Sequence, residues 1–244
     1  MRNIWIIARR ELDALFLQPI AYVFAITITL ITGLLFSAQL SLTTLQPGSP
    51  PPDLAQILST FTFLSIFIAP ALTMRLLSEE QQTGTLELLM TLPVRDVEVI
   101  LGKFLAAFIF YLLIVALTLI YPFILLRFGN PDAGPMLSSY LGVILWGTSI
   151  LGIGLLASAM ADNQINAFML AFGTILLLYL TLIPAQLFAI GPTLATVLNE
   201  LSLQSHLNNF FNGLIVAKDV LYYLLIAAVS LFAAARILES RRWR

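Results

Sequence analysis

From residue 14 to residue 52 the chain carries no Asp, Glu, Lys or Arg. Charge-free intervals recur from Asp53 to Arg75, Lys103 to Arg127, Asp132 to Asp162, Asp162 to Glu200 and Asp219 to Arg236. A helix that crosses a membrane needs about 20 mostly apolar residues, because every backbone group must be satisfied internally over roughly 30 Å of hydrocarbon. The intervals supply six such runs, at 20–40, 57–74, 104–126, 138–160, 164–184 and 219–238. An all-α polytopic membrane protein is therefore predicted, as one membrane domain over 1–244. The composition agrees: 59% of the residues are hydrophobic, more than a water-soluble fold can cover.

Six spans place both termini on one side, and the basic residues say which. Arg2, Arg9 and Arg10 precede the first run, Arg75, Arg95 and Lys103 lie between the second and third, and Arg236, Arg241, Arg242 and Arg244 end the chain. Ten of twelve Lys and Arg thus share a face, with Arg127 and Lys218 opposite. The positive-inside rule makes that face cytoplasmic, so the expected location is the plasma (inner) membrane with both termini in the cytoplasm. The first run is too long for the apolar part of a secretory signal, and "LFSAQL" lacks a small-x-small cleavage pattern, so it is read as a retained anchor. Ahead of it, residues 1–18 form an amphipathic pattern with Ile4, Ile7, Ala8, Leu12 and Leu15 on one face, which predicts a helix lying in the interface. Pro19 marks the corner into the membrane.

The cytoplasmic stretch at 75–103, "RLLSEEQQTGTLELLMTLPVRDVEVILGK", is the most charged and most punctuated part of the chain. Gly84 can cap a short helix from Thr85 to Leu92 with Glu87 at its third position, and Pro93 ends it. Asp96 and Glu98 then favour a second helix that runs through Lys103 into the third span. Leu86, Leu88, Leu89, Met90 and Leu92 make this knuckle too apolar for a free loop. Two readings follow: a helix tucked against the bilayer, or an element that docks into a cytoplasmic protein.

The block "SEEQQTGTLELLMTLPVRDVEVILGKFLAAF" resembles the signature region of ABC-2 type transporter permeases, with its Glu-rich entry, Gly-Thr-Leu-Glu, Leu-Leu, Leu-Pro-Val and later Gly-Lys. The ending "NNFFNGLIVAKDVLYYLL…ARILESRRWR" is similar to the gliding-motility-associated and multi-copper-related subgroup of that family. The resemblance implies the membrane half of an ATP-driven transporter, whose coupling helix is received by a separate ATP-binding cassette subunit. Glu79, Glu80, Gly84, Thr85, Glu87, Leu88, Leu89, Leu92 and Pro93 would make that contact. Residues 1–18 resemble the family's connecting helix. Six spans are half of the usual membrane unit, which implies a second copy or a paralogue, as a homodimer or heterodimer.

Several chemistries are excluded by what the sequence lacks. Gly102-Lys103 is followed by Phe104, and Val97 stands where a phosphate-cradling loop needs its first glycine. The chain is not expected to bind ATP; ATP and Mg would sit in the partner ATPase, with no cofactor here. The chain has no cysteine and one histidine, and neither Gly-x-Ser-x-Gly nor His-Glu-x-x-His occurs, so no catalytic or metal residue is assigned and an embedded enzyme is the weakest reading. The near-neutral net charge of −1 gives no footprint for nucleic acid. Residues 185–218 are too apolar for a plain loop and are broken at Gly191-Pro192, which predicts outer re-entrant or interfacial helices. His206, Asn209, Phe210, Gly213 and Asp219 are the outer-gate candidates; His206 itself reads first as an interfacial anchor. Gly142, Gly147, Gly152, Gly154, Ala157 and Ser158 equip the fourth span for close packing. An apolar pathway with scattered Ser, Thr, Asn and Gln suits a lipidic or amphiphilic substrate among membrane lipids. A non-transporting scaffold that recruits an ATPase to an envelope or motility machine is the second reading.

Overall fold

The polar residues that frame the apolar runs are the ones that start the helices. Asp53 accepts a hydrogen bond from Ala55 N, Asp132 from Gly134 N, Asn163 from Asn166 N and Ser202 from Ser205 N. Each satisfies a backbone donor that the first turn of a helix leaves open. The computed structural model describes residues 2–45, 52–85, 95–128, 131–183 and 191–241, and among them there are eleven helices and no strand. They are α1 (Arg2–Leu17), α2 (Pro19–Leu45), α3 (Leu54–Thr73), α4 (Arg75–Gln82), α5 (Asp96–Thr118), α6 (Ile120–Phe128), α7 (Ala133–Met160), α8 (Gln164–Leu180), α9 (Pro192–Leu201), α10 (Leu203–Phe211) and α11 (Ala217–Arg241).

Among the described residues, five stretches are long and apolar enough to cross a membrane: Ala21–Thr43, Leu54–Gln82, Asp96–Arg127, Ala133–Met160 and Ala217–Arg241. The fifth of the six expected spans corresponds to α8, whose 17 residues reach about 25 Å at 1.5 Å per residue.

α7 is the axis of the bundle, packed by α3, α5, α8, α10 and α11. Its small residues explain how so many neighbours fit. A Cβ on Gly147 would lie 2.0 Å from Tyr111 Cε1 of α5, one on Gly154 2.1 Å from Thr73 Oγ1 of α3, and one on Gly142 2.7 Å from Phe210 Cβ of α10. Each missing methyl admits a different helix. Polar groups inside this core are matched: Trp146 Nε1 donates to Ser65 Oγ at 2.8 Å, and Tyr111 OH to Val143 O at 3.0 Å. α2 and α11 instead present large apolar side chains outward, such as Ile26, Leu30, Leu225 and Val229, as expected of surfaces that meet lipid.

Two long helices break near a proline. Pro122 cannot bond back to Thr118 O, and Tyr140 OH from α7 donates to that carbonyl at 2.9 Å, at the junction of α5 and α6. Pro70 lies within α3, one turn before the α3–α4 junction at Met74. There Ser158 of α7 inserts its hydroxyl into the helix ladder: Oγ accepts from Leu77 N and Ser78 N, each at 3.1 Å, and donates to Met74 O at 3.0 Å. Such an insertion is a recognised cause of a helix break.

The face of α1 that carries Ile4, Ile7, Ala8 and Leu15 packs on the protein itself. Ala8 and Leu15 are buried and Ile4 and Ile7 half-buried, and a Cβ on Gly102 would meet Ile7 Cβ at 2.8 Å. α1 therefore covers the start of α5, and Gly102 is what allows the approach. Trp5 and Ile6 are on the exposed side.

Candidate functional site

Lys103 is one of the most deeply buried side chains in the protein, 1% exposed. It belongs to the buried stripe of α5 that includes Val99, Ile100, Ala106 and Ala107. A buried ammonium must be paired, and two other helices supply the carboxylates. Nζ donates to Glu80 Oε1 of α4 at 2.8 Å and to Glu11 Oε1 of α1 at 3.1 Å. Arg10 closes the group from the solvent side, 2.7 Å from Glu11 and 3.5 Å from Glu80. Burial raises the Glu11 carboxyl, but Lys103 and Arg10 outweigh it and hold it below the ordinary value of 4.5. The Arg10 guanidinium is raised, chiefly by its bond to Glu11.

α1, α4 and α5 are thus tied at one end of the bundle by a four-residue charge cluster. Glu79 is engaged separately: Arg75 Nε and Nη2 donate to its two oxygens at 2.9 and 3.1 Å, one turn away on α4. A cleft of about 240 Å³ opens between α1 and α4, lined in part by Glu11, Gln18, Arg75, Glu79, Glu80 and Lys103. Glu80 Oε2 is buried without a hydrogen-bond partner among the described residues.

α4 is also clamped to α7 and, through it, to α11. Besides the Ser158 insertion, Gln81 Nε2 donates to Ala159 O at 3.1 Å, and Arg241 Nη2 donates to the same carbonyl at 3.3 Å. A cation and an amide therefore close the C-terminal end of α7, where carbonyls are left open. Asp162, 3.8 Å from Arg241, is otherwise exposed.

Of the residues expected to meet an ATPase, Glu80 is turned inward onto Lys103, Glu79 is half-exposed on Arg75, and Gly84 and Thr85 are exposed. Gly84 has φ +72°. It follows the end of α4 in the left-handed conformation that glycine adopts without penalty, and Thr85 Oγ1 lies 2.9 Å from Thr83 Oγ1. Glu87, Leu88, Leu89, Leu92 and Pro93 lie outside the described residues.

At the opposite end the outer-gate candidates are brought together, and the interfacial position expected for His206 is not observed. Its ring is inside the protein, 4% exposed, because α10 buries one stripe: Leu203, His206, Leu207 and Phe210. Nδ1 is 2.6 Å from Asp219 Oδ1, and Asn209 Nδ2 donates to Asp219 Oδ2 at 2.8 Å. Tyr222 stacks on the ring with centroids 3.9 Å apart. Phe210 is fully buried against α7, where its carbonyl accepts from Ser138 Oγ at 2.7 Å. Gly213, at φ +84°, turns the chain after α10 beside Pro135.

Arg10, Glu11 and Lys103 are the residues of the charge cluster that sequence reasoning missed, and of these Glu11 and Lys103 are the least exposed. Their signal was present: Glu11 is four residues from both Ile7 and Leu15, on the apolar side of α1, and Lys103 falls four before Ala107 on the buried side of α5.

A comparison with protein families matches the ABC-2 family transporter protein over residues 15–234. No curated protein matches the chain. The family match takes in four of the five long apolar stretches whole, most of the fifth, and all of 75–103, so the chain belongs to the ABC-2 family of transporter proteins and is a multi-pass membrane permease component.

Proposed function

We propose that this chain is the permease subunit of an ATP-binding cassette exporter for a lipidic or amphiphilic substrate. The observation that carries the reading is the charge cluster on Lys103. It fixes the amphipathic α1 and the entry to the coupling segment, α4, onto α5, while Ser158 and Gln81 join α4 to the central helix α7. A push on the segment at 75–103 would then move α3, α5 and α7 as a unit, since packed helices with matched buried polar groups resist bending.

In this reading ATP and Mg are bound by a separate cassette subunit, as is typical of the family, and the exposed turn at Gly84 and Thr85, with Glu87, Leu88, Leu89, Leu92 and Pro93, receives it. α8 completes six spans, and both termini face the cytoplasm from the inner membrane, in keeping with the basic residues. A second copy or a paralogue completes the pathway, and the subgroup is the gliding-motility-associated and multi-copper-related one.

The test is purification of the tagged chain from its native membranes in mild detergent, with mass spectrometry and a vanadate-sensitive ATPase assay. The expected result is co-purification of a subunit whose sequence carries a phosphate-binding loop. Well-folded permease that consistently emerges without such a subunit and without ATPase activity would overturn the proposal.

A further inference from the structure

His206 faces two acceptors. Nδ1 is 2.6 Å from the Asp219 carboxylate and Nε2 is 3.0 Å from the backbone carbonyl of Glu200. A neutral imidazole donates from one nitrogen and presents a lone pair at the other, so one of these contacts would set lone pair against lone pair. The carboxylate's second oxygen accepts from Asn209, which leaves Asp219 in the role of an acceptor on both sides. With Asp219 ionised, only the imidazolium satisfies every partner.

The position of Glu200 adds a second reason. Glu200 and Leu201 end α9, where backbone carbonyls lack partners and the helix carries partial negative charge. His206 meets the carbonyl of Glu200, and Tyr222 OH donates to that of Leu201 at 2.7 Å. A cation on an open helix C-terminus is favoured in the same sense as a cation beside a carboxylate.

Among the described residues, α9 has little else to hold it. None of its ten residues is buried, and it joins α10 through the single residue Ser202. Its polar attachments to α10 and α11 are the His206 and Tyr222 contacts and an exposed Lys218–Glu200 pair at 2.5 Å.

From this geometry we infer that His206 and Asp219 form a proton-binding site that latches α9 onto the outer end of α11, and that loss of the proton frees α9 to swing about Ser202. The groups around the ring are accounted for. α11 contributes Asp219, Lys218, Tyr222 and Tyr223, α9 contributes Glu200, and α10 itself contributes Asn209. α7 and α8, which also pack on α10, contain no charged residue. The sign is that of a histidine gaining partners in the docked state: the latch is closed while the ring is charged and opens as pH rises. Its operation is independent of what the permease carries.

The chain has one histidine and no cysteine, so the ring signal has one source and spin labels attach only where cysteines are introduced. The full chain, labelled with ¹⁵N-histidine, carrying a histidine-free tag and held in lipid nanodiscs, is followed by NMR across about pH 5 to pH 10, which brackets ordinary histidine titration. Two protonated ring nitrogens are expected in the docked state, and one in D219N at the same pH. An unprotonated nitrogen in the wild type where α9 is docked, or an unchanged ring in D219N, overturns the assignment. In parallel, spin labels on T196C and L225C report the separation of α9 from α11. The distance distribution is expected to broaden over the pH interval in which the ring loses its proton, and to be pH-independent in H206Q. A distribution that stays unchanged while the ring deprotonates overturns the latch.

Discussion

Lys103 Nζ lies 2.8 Å from Glu80 Oε1, joining the start of α5 to the end of α4 across the stretch between them. The ammonium is 1% exposed and the carboxylate 19%, so neither is a surface charge whose loss water would repair. Removing one member of such a pair costs about 3–5 kcal/mol, whereas replacing the whole group by well-packed neutral residues is often neutral. K103M is therefore expected to lower the unfolding temperature in detergent markedly, and E11Q/E80Q/K103M to recover most of the loss. A triple variant as unstable as the single one would show that the charges are not what holds α1 and α4 to α5.

The same cluster has a pH signature. Glu11 titrates below its ordinary value of 4.5 in the folded chain. Its contribution to stability is thus present above 4.5 and is lost as pH falls through the depressed value. Wild type and E11Q are expected to differ in thermal stability at neutral pH and to converge in acid. A constant difference down to the acid limit of folding would contradict the pairing.

Ser158 is expected to matter as an acceptor rather than as a small residue. In S158A the N–H groups of Leu77 and Ser78 lose the hydroxyl they share, at about 1–3 kcal/mol for each buried group left unsatisfied. Thermal unfolding of S158A against A157S, its neighbour on α7, checks this. Equal stability of S158A and wild type would mean that the α3–α4 break is set by Pro70 alone.

Glycines in the membrane helices should divide sharply. G147A would push a methyl into Tyr111 and G154A one into Thr73, each an overpacking of about 1–3 kcal/mol. At Gly173 on α8 an added methyl would meet nothing within 4 Å, so G173A is expected to be neutral or slightly stabilising through helix propensity. Unfolding in one detergent ranks the three, and a destabilised G173A would point to a contact on α8 with a second chain or with lipid.

Much of this could be read before the fold was known, because the strongest signals are those of the bilayer. The need to satisfy a helix backbone in hydrocarbon makes the runs between charges long, and Asp53 and Asp132, which interrupt them, are used as caps. What could not be read was the partner of each ionisable group. Lys103 served as a boundary charge, yet its position on the buried side of α5 required an acid from elsewhere, and the chain offers thirteen. Periodicity shows which face of a helix is covered but not by what. For α1 a covering surface is α5, made accessible by Gly102. His206 was misplaced for the same reason: a lone histidine among aromatics suits a headgroup layer, and only the crossing of α10 on α11 brings Asp219 to it.

The central claim, that the stretch between α4 and α5 receives an ATP-binding subunit, is tested most directly by a photo-crosslinking residue at the exposed Thr85, with another at Thr193 on α9 as the control, irradiated in native membranes. The expected result is a covalent adduct at Thr85 whose attached peptide comes from a nucleotide-binding subunit, and none of that kind at Thr193. Adducts at Thr85 formed only with lipid or with a second copy of this chain, in membranes where the ATP-binding subunit is present, would contradict it.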